Sequence, residues 1–319
     1  MSQLQSINAI LLHSAFQLKT QGIETETAKL EAQLLLQHAL NVNRAWLIAH
    51  ENDALEANIH AAYRALISRK LNDEPIAYIL GCREFYGLNL KVTPDTLIPR
   101  PDTETLVEAA LAKIAPSPQP SPTGGEGIKN LQDLTDSSPS PLRGRGVGER
   151  GENLSILDLG TGTGAIALAI AKHYPHTHVT AVDASQATLN VAIENAQNLE
   201  IKNINFMLSD WFSSLKDQKF DIIVSNPPYI EQNDAHLTQG DLPWEPISAL
   251  VAGHDGLDAI RQIIQNAPQH LNPHGWLLLE HGYNQAERVA DLLKQAGFSE
   301  ISHAQDLAGI NRVTLGCYL

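Results

Sequence analysis

The sequence predicts an α/β fold: a mostly parallel, seven-stranded sheet with helices on both faces, preceded by a small helical domain. Three observations carry this. From Leu154 onward, short apolar runs alternate with helical runs, the pattern of a parallel sheet with crossover helices. The first run, Ile156–Leu159, leads through three glycines into a helix beginning at Ala165. Residues 1–80, by contrast, have helical periodicity and almost no Gly or Pro.

A chain of 319 residues can bury one large core and a smaller one. Lys+Arg of 22 against Asp+Glu of 36 leaves a net charge of −14. That balance disfavours sequence-independent binding to DNA, which depends on Lys and Arg neutralising phosphates. Cys82 and Cys317 lie far apart, so neither a disulfide framework nor a zinc cluster is expected. The 13 histidines follow no metal-ligand spacing, His281 included, and no metal is expected. The N-terminus lacks a basic stretch followed by an apolar one, and no run approaches the ~18 apolar residues of a membrane span. A soluble cytoplasmic protein without membrane contact is the expectation.

In chain order, Ile7, Ile10, Leu11, Ser14, Ala15 and Leu18 trace one helical face, with Gly22 as a stop. Thr25 is a candidate N-cap for a second helix carrying Leu30, Leu34, Leu35 and Leu40. Helices around Ala45–His50 and Leu55–Leu71 complete a bundle over 1–80. The stretch 81–104 has another texture: Phe85, Leu88, Leu90 and Val92 suggest a hairpin, and Pro94, Pro99 and Pro101 force extended backbone. Asp102 or Thr103 can cap a helix containing Leu106, Val107, Ala110 and Leu111, and the segment ahead of it is placed to close over a ligand. Residues 116–152 are rich in Pro, Ser and Gly, and predict a disordered insertion between two structured elements. The core strands are then read at Ile156–Leu159, His178–Val182, Ile204–Leu208, Phe220–Ser225, Gly275–Glu280, Ile301–Ala304 and Arg312–Leu319. Helices are read at Ala165–His173, Gln186–Asn198, Leu257–Ala267 and Gln285–Gly297.

Parallel sheets bind ligands outside the carboxyl ends of their strands, so the residues there are the candidates. Gly160, Gly162 and Gly164, alternating with Thr161 and Thr163, let the backbone turn sharply and approach a ligand closely. Asp183 follows Gly164 by about 20 residues, where an acid accepts bonds from ribose hydroxyls or caps the next helix. Asp210 and Trp211 end the third strand, beside a flat base or as a cap and a core residue. The most specific signal is Asn226-Pro227-Pro228-Tyr229 at the end of the fourth strand. Two prolines remove donors and leave carbonyls as acceptors, Asn226 adds an amide oxygen, and Tyr229 a flat face. Such a set suits a planar NH₂ group, whose lone pair it would turn towards an electrophile.

D-L-G-T-G-T-G with N-P-P-Y resembles the class I methyltransferases that modify a planar nitrogen on adenine, cytosine or glutamine. Within them, G-C-R-E-F-Y-G (81–87), L-I-P-R-P-D-T-E (97–104), S-N-P-P-Y-I (225–230) and A-L-V-A-G-H-D-G-L (249–257) resemble the release factor glutamine methyltransferases, PrmC or HemK. The order of helical domain, hairpin and core is similar too, and only 116–152 falls outside the family pattern. The resemblance implies a Rossmann-like domain over 81–319 and a docking domain over 1–80. It implies S-adenosyl-L-methionine as methyl donor and the glutamine of the Gly-Gly-Gln motif of class 1 peptide chain release factors as acceptor. By matching motif, Gly160, Thr161, Gly162, Thr163 and Gly164 wrap the methionine end, Asp183 holds the ribose and Trp211 lies by the adenine. Asn226 reaches both donor and substrate, and Pro227, Pro228 and Tyr229 complete the glutamine pocket, with Asn226, Pro227 and Tyr229 as the catalytic set. A monomer acting without direct nucleic-acid contact is expected. The rival readings are an adenine-N6 DNA methyltransferase, which needs a target-recognition domain and a basic face, and a non-catalytic factor that binds release factor or ribosome.

Overall fold

The computed structural model describes residues 6–114 and 153–319. The insertion expected at 116–152 lies outside them. The N-terminal part consists of helices α1 (Ile7–Thr20), α2 (Thr25–Leu40), α3 (Arg44–Ala49), α4 (Ala57–Leu71) and α5 (Ile76–Leu80). Ile7, Ile10 and Leu18 of α1 meet Leu35 and Leu36 of α2, Leu47 of α3, and Tyr63 and Ile67 of α4 in a core of their own. The predicted face of α1 is therefore the buried one. Two details of α2 differ. Its N-cap is Glu24, whose carboxylate accepts from the N–H groups of Glu26 and Thr27, because it reaches two orphan donors where Thr25 is already inside the first turn. Leu30 is 48% exposed, since Ala28, Ala32, Leu35 and Leu36 form the stripe that faces α1 and α4.

A hairpin of β1 (Cys82–Phe85) and β2 (Leu88–Lys91) follows, turned by Tyr86 and Gly87, both at positive φ. An extended stretch leads to a 3₁₀ turn at Pro101–Thr103 that runs directly into α6 (Glu104–Ile114). Asp102 and Thr103 do not cap α6, because they belong to that turn and their side chains are engaged elsewhere: Asp102 with Arg312 (2.9 Å), Thr103 with Asn226 (3.1 Å).

The core then alternates β3 (Ser155–Leu159), α7 (Ala165–His173), β4 (His178–Asp183), α8 (Gln186–Asn198), β5 (Ile204–Leu208) and β6 (Phe220–Ser225). It closes with α9 (Asp258–Asn266), β7 (Leu271–Glu280), α10 (Ala286–Gln295), β8 (Phe298–Gln305) and β9 (Asn311–Tyr318). The seven strands lie in the order β5-β4-β3-β6-β7-β9-β8. All neighbours are parallel except β9, which runs antiparallel to both β7 and β8. Period-2 alternation sends Ile156, Val179, Ile222, Val224 and Leu278 to the face packed by α6 and α7. Leu157, Leu159, Val182, Ile223 and Leu279 go to the opposite face, packed by α9 and α10. Strand order reverses direction at β3, between β4 and β6, and the carboxyl ends at such a switch point open a crevice for ligand.

Candidate active site

Register sets the site. Leu159 pairs with Ser225, and Ser225 pairs with Leu279, so the next residues on these strands, Gly160, Asn226 and Glu280, stand side by side at the carboxyl edge. The Ser225 hydroxyl donates to the Leu159 carbonyl at 2.7 Å and fixes the first two ends together. On the other flank Asp183 pairs with Leu208, which brings the β4 and β5 ends level.

A cavity of about 610 Å³ opens over these ends. Gly160, Thr161, Gly162, Thr163, Asp183, Asp210, Trp211, Asn226 and Pro228 all line it. Gly164 does not; it is the N-cap of α7, and a Cβ there would stand 2.9 Å from Leu168. Pro227 and Tyr229 are also outside the lining. Pro227 is buried, and Tyr229 packs into the α9–α10 face of the core with its hydroxyl donating to Glu280 Oε1 at 3.5 Å. The stretch from Pro94 to Thr103 does form a wall, through Pro94, Asp95, Leu97, Pro99, Arg100 and Thr103.

The glycine loop is held by short-range bonds. Gly160 and Gly162 both take positive φ, and around Gly162 nothing lies within 4 Å of where a Cβ would be, so its inner face is open. Thr161 donates to the Asp158 carboxylate at 2.6 Å. The Gly162 N–H donates to Asp183 Oδ2 at 3.0 Å, while Asp183 Oδ1 accepts from the Ser185 N–H at 2.9 Å. Asp183 thus fastens the loop and braces the entry to α8, yet still faces the cavity; each carboxylate oxygen has a further lone pair for a hydroxyl. Burial raises the Asp183 pKa, against the backbone N–H groups that lower it. Burial also pushes Asp158, fully enclosed beneath the loop, up to about 7. Trp211 takes φ of 47°, an unusual conformation for a bulky side chain, and its ring lies against Gly160.

The opposite wall is assembled from distant segments. Asn226 Nδ2 donates to the Thr103 hydroxyl at 3.1 Å, and among the described residues no donor reaches its Oδ1. The chain after Tyr229 is pinned by a two-way backbone bridge: the Ile230 N–H donates to Leu250, and the Ala252 N–H donates to Ile230. Gln285 donates to the Tyr229 carbonyl at 3.0 Å. Arg100 meets the enclosed Glu245 carboxylate at 2.6 Å, and Glu245 also accepts from the Ile98 N–H at 2.9 Å. This joins the Pro94–Arg100 wall to the Pro246–Ala249 wall. Thr103 was expected only as a helix cap, and Arg100, Glu245, Glu280 and Gln285 had no assigned role in the sequence. The first two lie in the L-I-P-R-P-D-T-E stretch singled out there; the other three carried no local signal. His281 is buried and bonded to Thr314 at 2.8 Å, a structural position. Among the described residues no cluster of three His, Cys, Asp or Glu is placed to hold a metal, and no helix is long and apolar enough to cross a membrane.

Comparison with known proteins agrees with this architecture. Residues 9–81 match the family model described as PrmC N-terminal domain, and residues 149–241 match Methyltransferase small domain. The release factor glutamine methyltransferase of Vibrio cholerae serotype O1 is 45% identical over 314 residues, 98% of this chain and 97% of that one. The protein of the same description from Bordetella pertussis is 44% identical over 289 residues, covering 90% and 94%. Among solved structures, the catalytic domain of hMettl16 in complex with an RNA hairpin superposes with a TM-score of 0.53 at 14% identity, covering 78% of this chain and 84% of that one. That last likeness speaks for the fold alone. Identity of this extent across both the helical part and the sheet shows that the chain belongs to the release factor glutamine methyltransferase family.

Proposed function

We propose that this protein methylates the side-chain amide nitrogen of the glutamine in the Gly-Gly-Gln motif of class 1 peptide chain release factors, with S-adenosyl-L-methionine as donor. The observation that carries the reading is Asn226. Its amide is anchored through Nδ2 on Thr103 at the cavity wall, which leaves Oδ1 as an acceptor for an incoming N–H. The residues present fit the donor. The open inner face of Gly162 receives the methionine part, the Asp183 carboxylate has lone pairs for ribose hydroxyls, and Trp211 offers a flat face to the adenine. Bound there, S-adenosyl-L-methionine supplies an electrophilic methyl group on a sulfonium.

Asn226 Oδ1 accepts one N–H of the substrate amide and a carbonyl of the Pro227-Pro228 pair accepts the other. Both amide protons are then directed at the protein, and the nitrogen lone pair is turned towards the methyl group. Holding nucleophile and methyl in line supplies much of the rate. Attack by the nitrogen breaks the S–CH₃ bond and leaves a neutral thioether. The amide nitrogen, now methylated and positively charged, is acidic enough to release a proton to water, so the site needs no strong base. Residues 81–319 form the catalytic unit in this reading, and the helices of 1–80 dock the release factor. An adenine-N6 DNA methyltransferase is disfavoured by the charge of −14 and by the match of residues 9–81 to PrmC N-terminal domain. A non-catalytic binding factor would have no use for an acceptor held open over the glycine loop.

The test is transfer of labelled methyl from S-adenosyl-L-methionine to purified release factor, with the modified residue located by mass spectrometry. Label on the Gly-Gly-Gln glutamine is the expected result. No incorporation with folded, cofactor-binding protein rejects the reading.

A further inference from the structure

The edge position beside Asn226 is filled by Glu280, a carboxyl that no step above uses. It ends β7, is 1% exposed, and its Oε2 lacks any hydrogen-bond partner. Burying such a group without full pairing is unfavourable, and an apolar residue would serve packing as well or better. Its surroundings point back to the site. The Tyr229 hydroxyl donates to Oε1. Thr103, whose oxygen receives Asn226 Nδ2, keeps a hydroxyl proton with no acceptor among the described residues, beside the strand end where Asn226 neighbours Glu280.

We propose that Glu280 is the positioning residue that fixes which way the Asn226 amide faces. A carboxylate only accepts hydrogen bonds. It therefore draws the protons of the Thr103 and Tyr229 hydroxyls towards itself. Thr103 is left with lone pairs alone on the side of Asn226, so Asn226 must present Nδ2 there and Oδ1 to the substrate. Without an ionised Glu280 the Thr103 hydroxyl is free to donate to Asn226. The amide can then turn over, offering N–H groups where the substrate needs an acceptor. The inference rests on the methyl-transfer reading.

The charged and titratable groups around Glu280 are Tyr229 after β6, Asp102 before α6 and Arg312 on β9, which also pairs with Asp306. His281, next in the chain, is turned to Thr314 and Gly282. Burial raises Glu280 to about 7, and Asp102 adds to the rise, against Arg312 and the two hydroxyls. The carboxyl is thus neutral below that pH and ionised above it, so turnover rises with pH through about 7. Asp158 titrates in the same range, which makes the variant profile the deciding measurement.

The experiment measures kcat and KM for release factor at saturating S-adenosyl-L-methionine, from pH 5.5 to 8.5, together with cofactor affinity and melting temperature. Thr103→Val, close in shape but without the hydroxyl, is expected to lower kcat about 10–100-fold, with cofactor affinity unchanged. Thr103→Ser should restore most of it. Glu280→Gln should lower kcat and abolish its rise through pH 7. Wild-type kcat in Thr103→Val overturns the inference, and so does a Glu280→Gln protein that keeps both its turnover and its acid limb. If Glu280→Gln fails to fold, the Thr103 pair decides alone. An inactive wild-type protein sinks the methyl-transfer reading along with this one, whereas the variant failures sink only this one.

Discussion

The two walls of the cavity are built in opposite ways. The glycine-loop wall is mainly local: its bonds run from Thr161 to Asp158 and from Gly162 to the neighbouring strand end at Asp183, with one longer tie from Asn195 of α8 to the Thr163 carbonyl. The Asn226 wall is long-range: Thr103 precedes α6, Gly256 and Gln285 come after the site, and Glu280 ends β7. A local wall depends on backbone conformation that the residues themselves prefer. A long-range wall depends on the whole sheet delivering distant segments to within a hydrogen bond. Damage to the first should therefore appear in cofactor binding, and damage to the second in turnover.

The sharpest way to break that division is Asn226→Ala. It removes the acceptor and leaves the prolines and the glycine loop in place. Loss of one positioning bond in a desolvated site costs about 10²–10³ in kcat. Calorimetry should show cofactor affinity within a few-fold of wild type. Full turnover with release factor at saturating donor contradicts the assigned role of Asn226, and a collapse of cofactor affinity contradicts the division itself.

Gly256→Ala comes next. Gly256 has φ of +71°, and a Cβ there would stand 2.3 Å from the Tyr229 carbonyl oxygen and 2.8 Å from Gln285 Nε2. The left-handed conformation costs an alanine roughly 1–2 kcal/mol, and forcing the overlap apart adds roughly 1–3. Gly297→Ala isolates the first part, because Gly297 has φ of +88° but nothing within 4 Å. Denaturant titration should find Gly256→Ala the more destabilised of the two by at least about 1 kcal/mol, with turnover falling only in that variant. Equal losses mean that the Tyr229 segment yields freely and is not held by this contact.

This contrast also explains what the sequence disclosed. The glycine loop and Asn226 were legible as cavity residues because each sits in a contiguous pattern whose chemistry follows from residue type, and Asp183 from its spacing after the loop, whereas Pro227 and Tyr229 lie outside the lining. The mostly parallel sheet was legible in the alternation of strand and helix runs, whereas the order of the strands is set by tertiary packing and was not. Glu245 and Glu280 were illegible because a buried carboxylate looks like any other until its partners, Arg100 and Tyr229, are brought to it by packing. Glu24 was passed over for Thr25 because glutamate is not a favoured N-cap residue. Asp102 and Thr103 were read as caps because their residue types fit that use, while the structure spends them on Arg312 and Asn226.

On the local wall, Asp183→Ala removes the acceptor for Gly162 and Ser185 together with the site proposed for the ribose. Bonds to a charged acceptor contribute about 1.5–3 kcal/mol, so cofactor affinity should fall about 10–100-fold. Under saturating donor, kcat should change far less. Near-unchanged affinity by calorimetry rejects the ribose assignment.

The smallest expected effects come from adjacent residues on α8, which sharpen the contrast between enclosed and exposed contacts. Asn195 is 1% exposed and ties three backbone groups together. It accepts from the Lys91 N–H at 2.7 Å and donates to the carbonyls of Lys91 and Thr163 at 3.0 and 2.9 Å. It is the staple between the β1–β2 hairpin and the glycine loop. Glu194, one residue earlier, pairs with the Lys91 ammonium at 2.7 Å, but both side chains are over 40% exposed, at 46% and 42%. The two residues hold the same lysine by different means. Asn195→Ala leaves buried backbone groups without partners and should cost about 1–3 kcal/mol. Because one of those groups is the Thr163 carbonyl, it should also loosen cofactor binding a few-fold. Glu194→Gln removes one charge from a solvated pair and should cost under about 1 kcal/mol, shrinking further with added salt. Denaturant titrations of the two variants at low and high salt separate these cases. A Glu194→Gln loss that equals that of Asn195→Ala would mean that the hairpin is held by the ion pair, and that the glycine-loop wall leans on surface charge instead of its buried amide.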